Sequence, residues 1–189
     1  MGNFESKGNK CKIRNKGSAS QGCARGNTEN DIKDVLLLYK ASDRSHRQAV
    51  RSFRDALIQE GHPWINISNE VNLSDNAAYL TEDLQWLSQL NHVVLVRLSP
   101  DAVSDLEHAI REKKFIGTDK VLHDKVMAVS FGQNLPNGWL PTGVRRRTRD
   151  EKDFCFGFKD ESNLTIEDFM SDSAQGKLNK LVATIVATN

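Results

Sequence analysis

Two short stretches of this sequence concentrate chemically expressive residues, and the more specific of them is the amino terminus. Met1-Gly2-Asn3-Phe4-Glu5-Ser6-Lys7 fits the pattern Met-Gly-x-x-x-Ser/Thr, in which loss of the methionine exposes a glycine amine for myristoylation. One myristoyl chain holds a protein on a bilayer only marginally, so stable anchoring takes a second signal. Two candidates follow at once. Lys7, Lys10, Lys12, Arg14 and Lys16 form a basic cluster, and each such cation beside an anionic leaflet contributes about 1 kcal/mol. Cys11 and Cys23 are placed to accept palmitate, with unmodified thiols as the competing reading. The expectation is a lipid-anchored protein at the cytoplasmic face of a membrane, most simply the plasma membrane, against the bland alternative that Gly2 and Ser6 match by chance.

The second stretch is Arg145-Arg146-Arg147-Thr148-Arg149, which fits either acidic headgroups or an acidic partner face, or is a solvated loop. Other chemistry is weakly signalled. Cys11, Cys23 and Cys155 form no CxxC pair and have no histidine at metal-ligand spacing, so neither a disulfide framework nor a zinc site is indicated. His46, His62, His92, His108 and His123 have no partner four residues on, and read as turn or surface residues. No phosphate loop, dinucleotide fingerprint or Gly-x-Ser-x-Gly elbow occurs.

Charge narrows the partners. The 189 residues carry 26 Lys and Arg against 25 Asp and Glu, a balance that gives no argument for nucleic acid. Residues 1–30 are different, with six basic residues against Glu5 and Glu29, a local excess of roughly +4. No apolar run approaches the roughly 20 residues of a membrane-spanning helix, and the polar start is not a secretory signal. The sequons at Asn66, Asn72 and Asn163 therefore read as chance, since they would matter only in a secreted chain.

The elements that must carry these residues divide the chain in two. Residues 1–30 are rich in Gly, Ser, Asn and Lys, a composition that cannot repay the entropy of folding and reads as a disordered, basic, lipidated tail. Residues 31–189 read as one domain. The apolar run Asp34–Tyr39 predicts a buried strand, and Val50, Phe53 and Leu57 predict a helix ended by Gly61. His62–Ser68 predicts a second strand by alternation, followed by a helix carrying Leu80, Leu84 and Leu87 with Tyr79 and Trp86. His92–Leu98 is the clearest strand, and Pro100 opens a third helix with Val103, Leu106 and Ile110 on one face. Lys125–Phe131 and Asp153–Phe158 predict two more strands, and Leu178, Leu181, Val182, Ile185 and Val186 a final helix. Strands alternating with helices require parallel pairing, hence an α/β fold with helices on both faces of a parallel sheet in three layers.

Three strings then carry a resemblance. Val35-Leu-Leu-Leu-Tyr-Lys-Ala-Ser-Asp43 is similar to an opening strand that ends in a Tyr-Ser-x-x-Asp-like turn. Trp86-Leu-Ser-Gln-Leu-Asn-His-Val-Val-Leu-Val-Arg-Leu-Ser-Pro100 is similar to a helix tryptophan followed by a strand and Ser-Pro. Val126-Met-Ala-Val-Ser-Phe131, with Leu135-Pro136 and Leu140-Pro141 after it, is similar to a late strand and its proline-bearing sequel. Across roughly residues 32–188, order and texture resemble the Toll/interleukin-receptor (TIR) superfamily, specifically its SEFIR branch. Lys40-Ala41 interrupts the usual opening turn, and no Toll-type loop motif follows the second strand.

The resemblance implies a flavodoxin-like fold and a function. Such domains work mostly by homotypic association, so it implies a signalling adaptor in innate-immune or cytokine-type pathways. Its partners would be TIR or SEFIR receptors or adaptors, it would form a homo-oligomer on signalling, and it would need no cofactor. Candidate partner-binding residues are Arg44, Arg47, Arg51 and Arg54 on the polar side of the first helix, and Arg145, Arg146 and Arg147 in the later loop; a solvated face is the competing reading. Some TIR domains instead cleave NAD with a glutamate on the helix after the third strand. Glu107 in Ser104-Asp-Leu-Glu107 holds a similar place and would stabilise a ribosyl cation. The Trp-Cys pair that usually precedes that glutamate is absent, and an ordinary surface glutamate competes with this assignment.

Overall fold

In a computed structural model of the chain, residues 32–75, 92–104, 115–146 and 152–188 are described. The tail, the helix expected to carry Leu80, Leu84 and Leu87, and most of the helix expected to carry Leu106 and Ile110 lie outside them.

Five strands form one parallel sheet: β1 (Lys33–Tyr39), β2 (Ile65–Asn72), β3 (Val93–Arg97), β4 (Val126–Ser130) and β5 (Asp153–Cys155). They lie in the order β2-β1-β3-β4-β5 and all neighbours pair parallel. This is the expected three-layer, flavodoxin-like α/β architecture. Side chains alternate across the sheet, as the pleat requires. Val35, Leu37, Val93, Leu95, Met127 and Val129 face one core, whereas Leu36, Leu38, Val94, Val96, Val126 and Ala128 face the other. Strands β1, β3 and β4 are buried on both faces, which is why they read as unbroken apolar runs.

Helix α1 (Arg44–Gly61) covers the first core with Val50, Phe53 and Leu57. Asp43 caps it by accepting from the His46 amide at 2.9 Å. Two further helices complete this face. The short α2 (Ile166–Phe169) starts in a Thr165–Asp168 capping box, a signal that the sequence reading passed over. Helix α3 (Asp172–Ala187) buries Ala174, Leu178, Leu181 and Ile185. Phe53, Phe131, Phe156 and Phe169 meet under these helices with ring centroids 5.1–6.5 Å apart, and Phe158 stacks on the rim. Such tilted and edge-on pairs add to the burial energy of the rings.

The second strand departs from its expected span. It begins at Ile65, because Trp64 donates to the Gly61 carbonyl at 2.7 Å and closes a turn after the helix. It also runs on to Asn72, past Ser68. The register slips there by one residue: Val35 pairs with Ile67 but Leu36 with Asn69. Ser68 is the extra residue of a bulge, and a bulge reverses the alternation. Ile65 and Ile67 therefore face the α1 side, while Val71 faces the opposite core. One other expected span shortens: Asp153–Phe158 keeps only three strand residues. Pro100 opens a 3-10 turn, Pro100–Ala102, that passes into helical backbone at Val103 and Ser104, the last described residues of that segment.

Candidate functional site

In an open parallel sheet, ligands and partners are taken up outside the carboxyl ends of the strands, where the strand order reverses. Here that point lies between β1 and β3, which pair directly while their connections leave in opposite directions. The segments issuing from it are Lys40–Asp43 after β1 and Leu98–Asp101 after β3. These are the polar ends of two of the strings that carry the TIR/SEFIR resemblance.

The two ends are joined. Lys40 donates its ammonium to the Asp101 carbonyl at 3.1 Å, and Arg97 donates Nη1 to the Lys40 carbonyl at 3.3 Å. The β1–α1 turn is held from its other side as well. Asn72 accepts from the Ala41 amide at 3.0 Å and donates to the Ala41 carbonyl at 2.9 Å, and Arg47 Nε donates to the same carbonyl at 3.0 Å.

Arg97 is the unusual group of this region. It is the last residue of β3, only 1% exposed, a position where an unpaired cation would be very costly. Glu161 answers it with an ion pair at 2.9 Å, and Phe131 lies under the guanidinium at 4.9 Å from the ring centroid. Burial pushes the Arg97 guanidinium below its ordinary range, opposed by the charge of Glu161. The Arg97 Nε and the buried Ser99 hydroxyl have no hydrogen-bond partner among the described residues. Gly132 makes room for the pair, since a Cβ there would stand 2.7 Å from Glu161 Oε1.

The neighbouring carboxylates are held ionised. The Ser45 hydroxyl, the His46 amide and the His46 ring hold the Asp43 carboxyl far below the usual carboxylate range. The Ser162 hydroxyl and amide lower Asp160 in the same way. Such groups suit charge recognition, whereas a general acid needs a raised pKa. Burial and then Asp153 raise the Cys155 thiol, away from reactive thiolate character. Among the described residues no cluster of three or more His, Cys, Asp or Glu could hold a metal ion, and no helix is long and apolar enough to cross a membrane.

The arginines expected to bind partners fall into two groups. Arg44 and Arg51 are exposed on α1, seven residues and thus two turns apart on one face. Arg47 is drawn to Asp75, and Arg54 to Asp55 and Glu70, which also accepts from the Tyr39 hydroxyl at 2.7 Å. In the later loop Arg145 is exposed, but Arg146 turns inward. It pairs with Asp153 at 2.7 Å, donates to the Val126 carbonyl at 3.2 Å and stacks on Trp139 at 5.0 Å. Arg147 and Arg149, the lipidation residues Gly2, Cys11 and Cys23, the tail cations Lys7, Lys10, Lys12, Arg14 and Lys16, and Glu107 lie outside the described residues.

Arg97 and Glu161 were not singled out from the sequence, although one signal was available. A charged residue near the end of His92–Leu98, an otherwise apolar buried strand, demands a partner. Which residue 64 positions away supplies it is set by the sheet order alone.

Comparison of the chain with protein-family models, curated proteins and solved structures found no match.

Proposed function

We propose that this chain is a membrane-anchored intracellular signalling adaptor, a TIR/SEFIR-like domain that associates with its own kind beneath a bilayer to which its acylated tail holds it. The observation that carries this reading is the convergence at the carboxyl end of β1 and β3. Two of the strings that resemble the family, 57 residues apart at Lys40 and Arg97, are fastened to one another there. The flavodoxin-like order of the sheet agrees with that family's fold.

The association surface is the exposed side of α1, with Arg44 and Arg51 as cationic anchors for an acidic face on a partner domain. Arginine serves well in this role because its rigid fork binds carboxylates bidentately. Arg47 and Arg54 hold the turn and the edge strand in place beneath that surface.

Two experiments test the reading. In cells, Gly2→Ala releases the protein from membranes to the soluble fraction; retention of the variant on membranes contradicts acyl anchoring. The purified full chain incubated with NAD leaves the dinucleotide intact even at high protein density. Turnover that disappears in Glu107→Ala replaces the adaptor reading with a TIR-type NAD hydrolase.

A further inference from the structure

Three large apolar side chains are exposed among the described residues: Ile32 at 60%, Trp64 at 38% and Ile58 at 37%. All three lie at the amino end of the sheet. Ile32 immediately precedes β1 and Trp64 precedes β2, and the two strands are joined there by the Lys33 amide donating to the Trp64 carbonyl at 2.8 Å. Ile58 sits in the last turn of α1, which runs back to this end and stops at Gly61, the residue whose carbonyl accepts from Trp64.

Cations share this end. Lys33 opens β1, Lys125 precedes β4 and Lys152 precedes β5. Lys152 donates to the Asp124 carbonyl. Helix α3 brings Lys180 to the same place, across an open cleft of about 670 Å³ lined also by Asp124, Lys152, Thr184 and Thr188. Among the described residues Asp34, Glu60, Asp124 and Asp153 are the acidic members of this end; Asp34 accepts from the Asn66 side-chain amide at 2.8 Å and Asp153 pairs with Arg146.

The chain continues from Ile32 into residues 1–31, which carry Gly2 and the basic cluster. Residues 1–31 are therefore joined to the domain at the same end that exposes the tryptophan and the lysines.

We propose that the amino end of the sheet is a membrane-docking surface for anionic phospholipid, with Trp64, Ile32 and Ile58 at the depth of the headgroups and Lys33, Lys125, Lys152 and Lys180 facing phosphates. Tryptophan is suited to that depth because its ring is apolar and its N–H is polar. Lysines around it add attraction to anionic lipid that falls off within a Debye length. Docking in this pose points the carboxyl end, with Lys40–Asp43 and Arg97, away from the bilayer and towards partners. The proposal rests on the membrane-anchor reading of the tail but is tested without the acyl chain.

The experiment is co-sedimentation of the unacylated full chain with vesicles of 70:30 phosphatidylcholine and phosphatidylserine, and with phosphatidylcholine alone. Wild-type protein binds the anionic vesicles and not the neutral ones. Trp64→Ala and the pair Lys152→Glu/Lys180→Glu, each shown by its thermal midpoint to be folded at the assay temperature, bind at least ten-fold more weakly. Quenching of tryptophan emission by brominated lipid is seen for wild type and is lost in Trp64→Phe, whose ring volume is partly retained. Edge variants that bind as wild type overturn the proposal, and so does a Trp64→Ala chain that binds vesicles normally but loses self-association in solution, which would assign the surface to a second copy. A separate arm isolates the anchor: mass spectrometry of protein from cells that finds no acyl group on Gly2 contradicts the anchor reading and leaves the vesicle result standing.

Discussion

At the carboxyl end of the sheet a buried cation is matched to a carboxylate and an aromatic ring, and the nearby turn is tied down, its Ala41 backbone by Asn72 and Arg47 and its Asp43 carboxylate by Ser45. At the amino end three large apolar side chains face outward and lysines line an open cleft. The first end is built as a fixed scaffold, since a buried charge tolerates little displacement of its partner. The second leaves part of the Trp64 ring in solvent, and the docking proposal assigns that exposed part to lipid. The difference predicts that mutations at the two ends separate cleanly, stability following one and binding the other.

The largest separation comes from one ring on each side. Phe131→Ala removes the ring beneath Arg97 and opens the aromatic cluster, and costs about 4 kcal/mol in chemical denaturation. Trp64→Ala removes a ring that is 38% exposed and costs distinctly less, about 1–2 kcal/mol. Comparable losses from both would erase the contrast.

Next is the ion pair itself. Glu161→Ala strands a buried guanidinium and costs about 3 kcal/mol, whereas Arg97→Met combined with Glu161→Gln costs distinctly less, because removing both charges leaves none unpaired. A double variant that unfolds as easily as the single one contradicts the assignment of Glu161 as the partner that matters.

Tyr39→Phe removes the hydroxyl donor to Glu70 while leaving Arg54 on that carboxylate, and costs about 1 kcal/mol. Burial and then the Glu70 hydrogen bond raise the Tyr39 pKa far above its ordinary value. Its contribution is thus fully present below about pH 10 and declines as pH rises through the raised value. Alkaline titration of stability steeper in wild type than in Tyr39→Phe is the expected result.

The smallest effect is at Asp43, whose carboxyl is lowered by Ser45 and His46. Its contribution is present above the unfolded carboxylate value near pH 3.9 and is lost as pH falls from there through the folded value. Asp43→Asn keeps a helix cap, since asparagine caps well, and flattens that part of the acid-unfolding curve; an unchanged curve would show that the hydrogen bonds do not hold the charge.

Much of this scaffold was legible in the sequence. Strands buried on both faces announce themselves as apolar runs, and α1 as a periodic stripe ended by Gly61. Legibility failed where a local rule was broken by tertiary pairing. The bulge at Ser68 reversed the face of Val71, so no single period describes β2. Residues Phe156–Phe158 look like strand but leave the ladder after Cys155, where Gly157 adopts a φ of +88° and turns the chain. The scaffold residues at the carboxyl end were hidden for a different reason. Arg97, Asn72 and Glu161 act on partners 31 to 64 positions away, a range at which composition and spacing carry no signal. Among the candidate arginines, type alone could not separate exposed Arg44 and Arg51 from Arg146, which turns inward onto Trp139.

The central claim is that the anchored domain associates with its own kind through the exposed side of α1. Single-particle brightness of acylated, fluorescently labelled full chain on anionic vesicles, followed as surface density rises, measures it most directly. Growth from one chain per particle to multimers, reversed to single chains by Arg44→Glu/Arg51→Glu while membrane binding persists, is the predicted result. Wild-type particles that remain single chains at every density would contradict it.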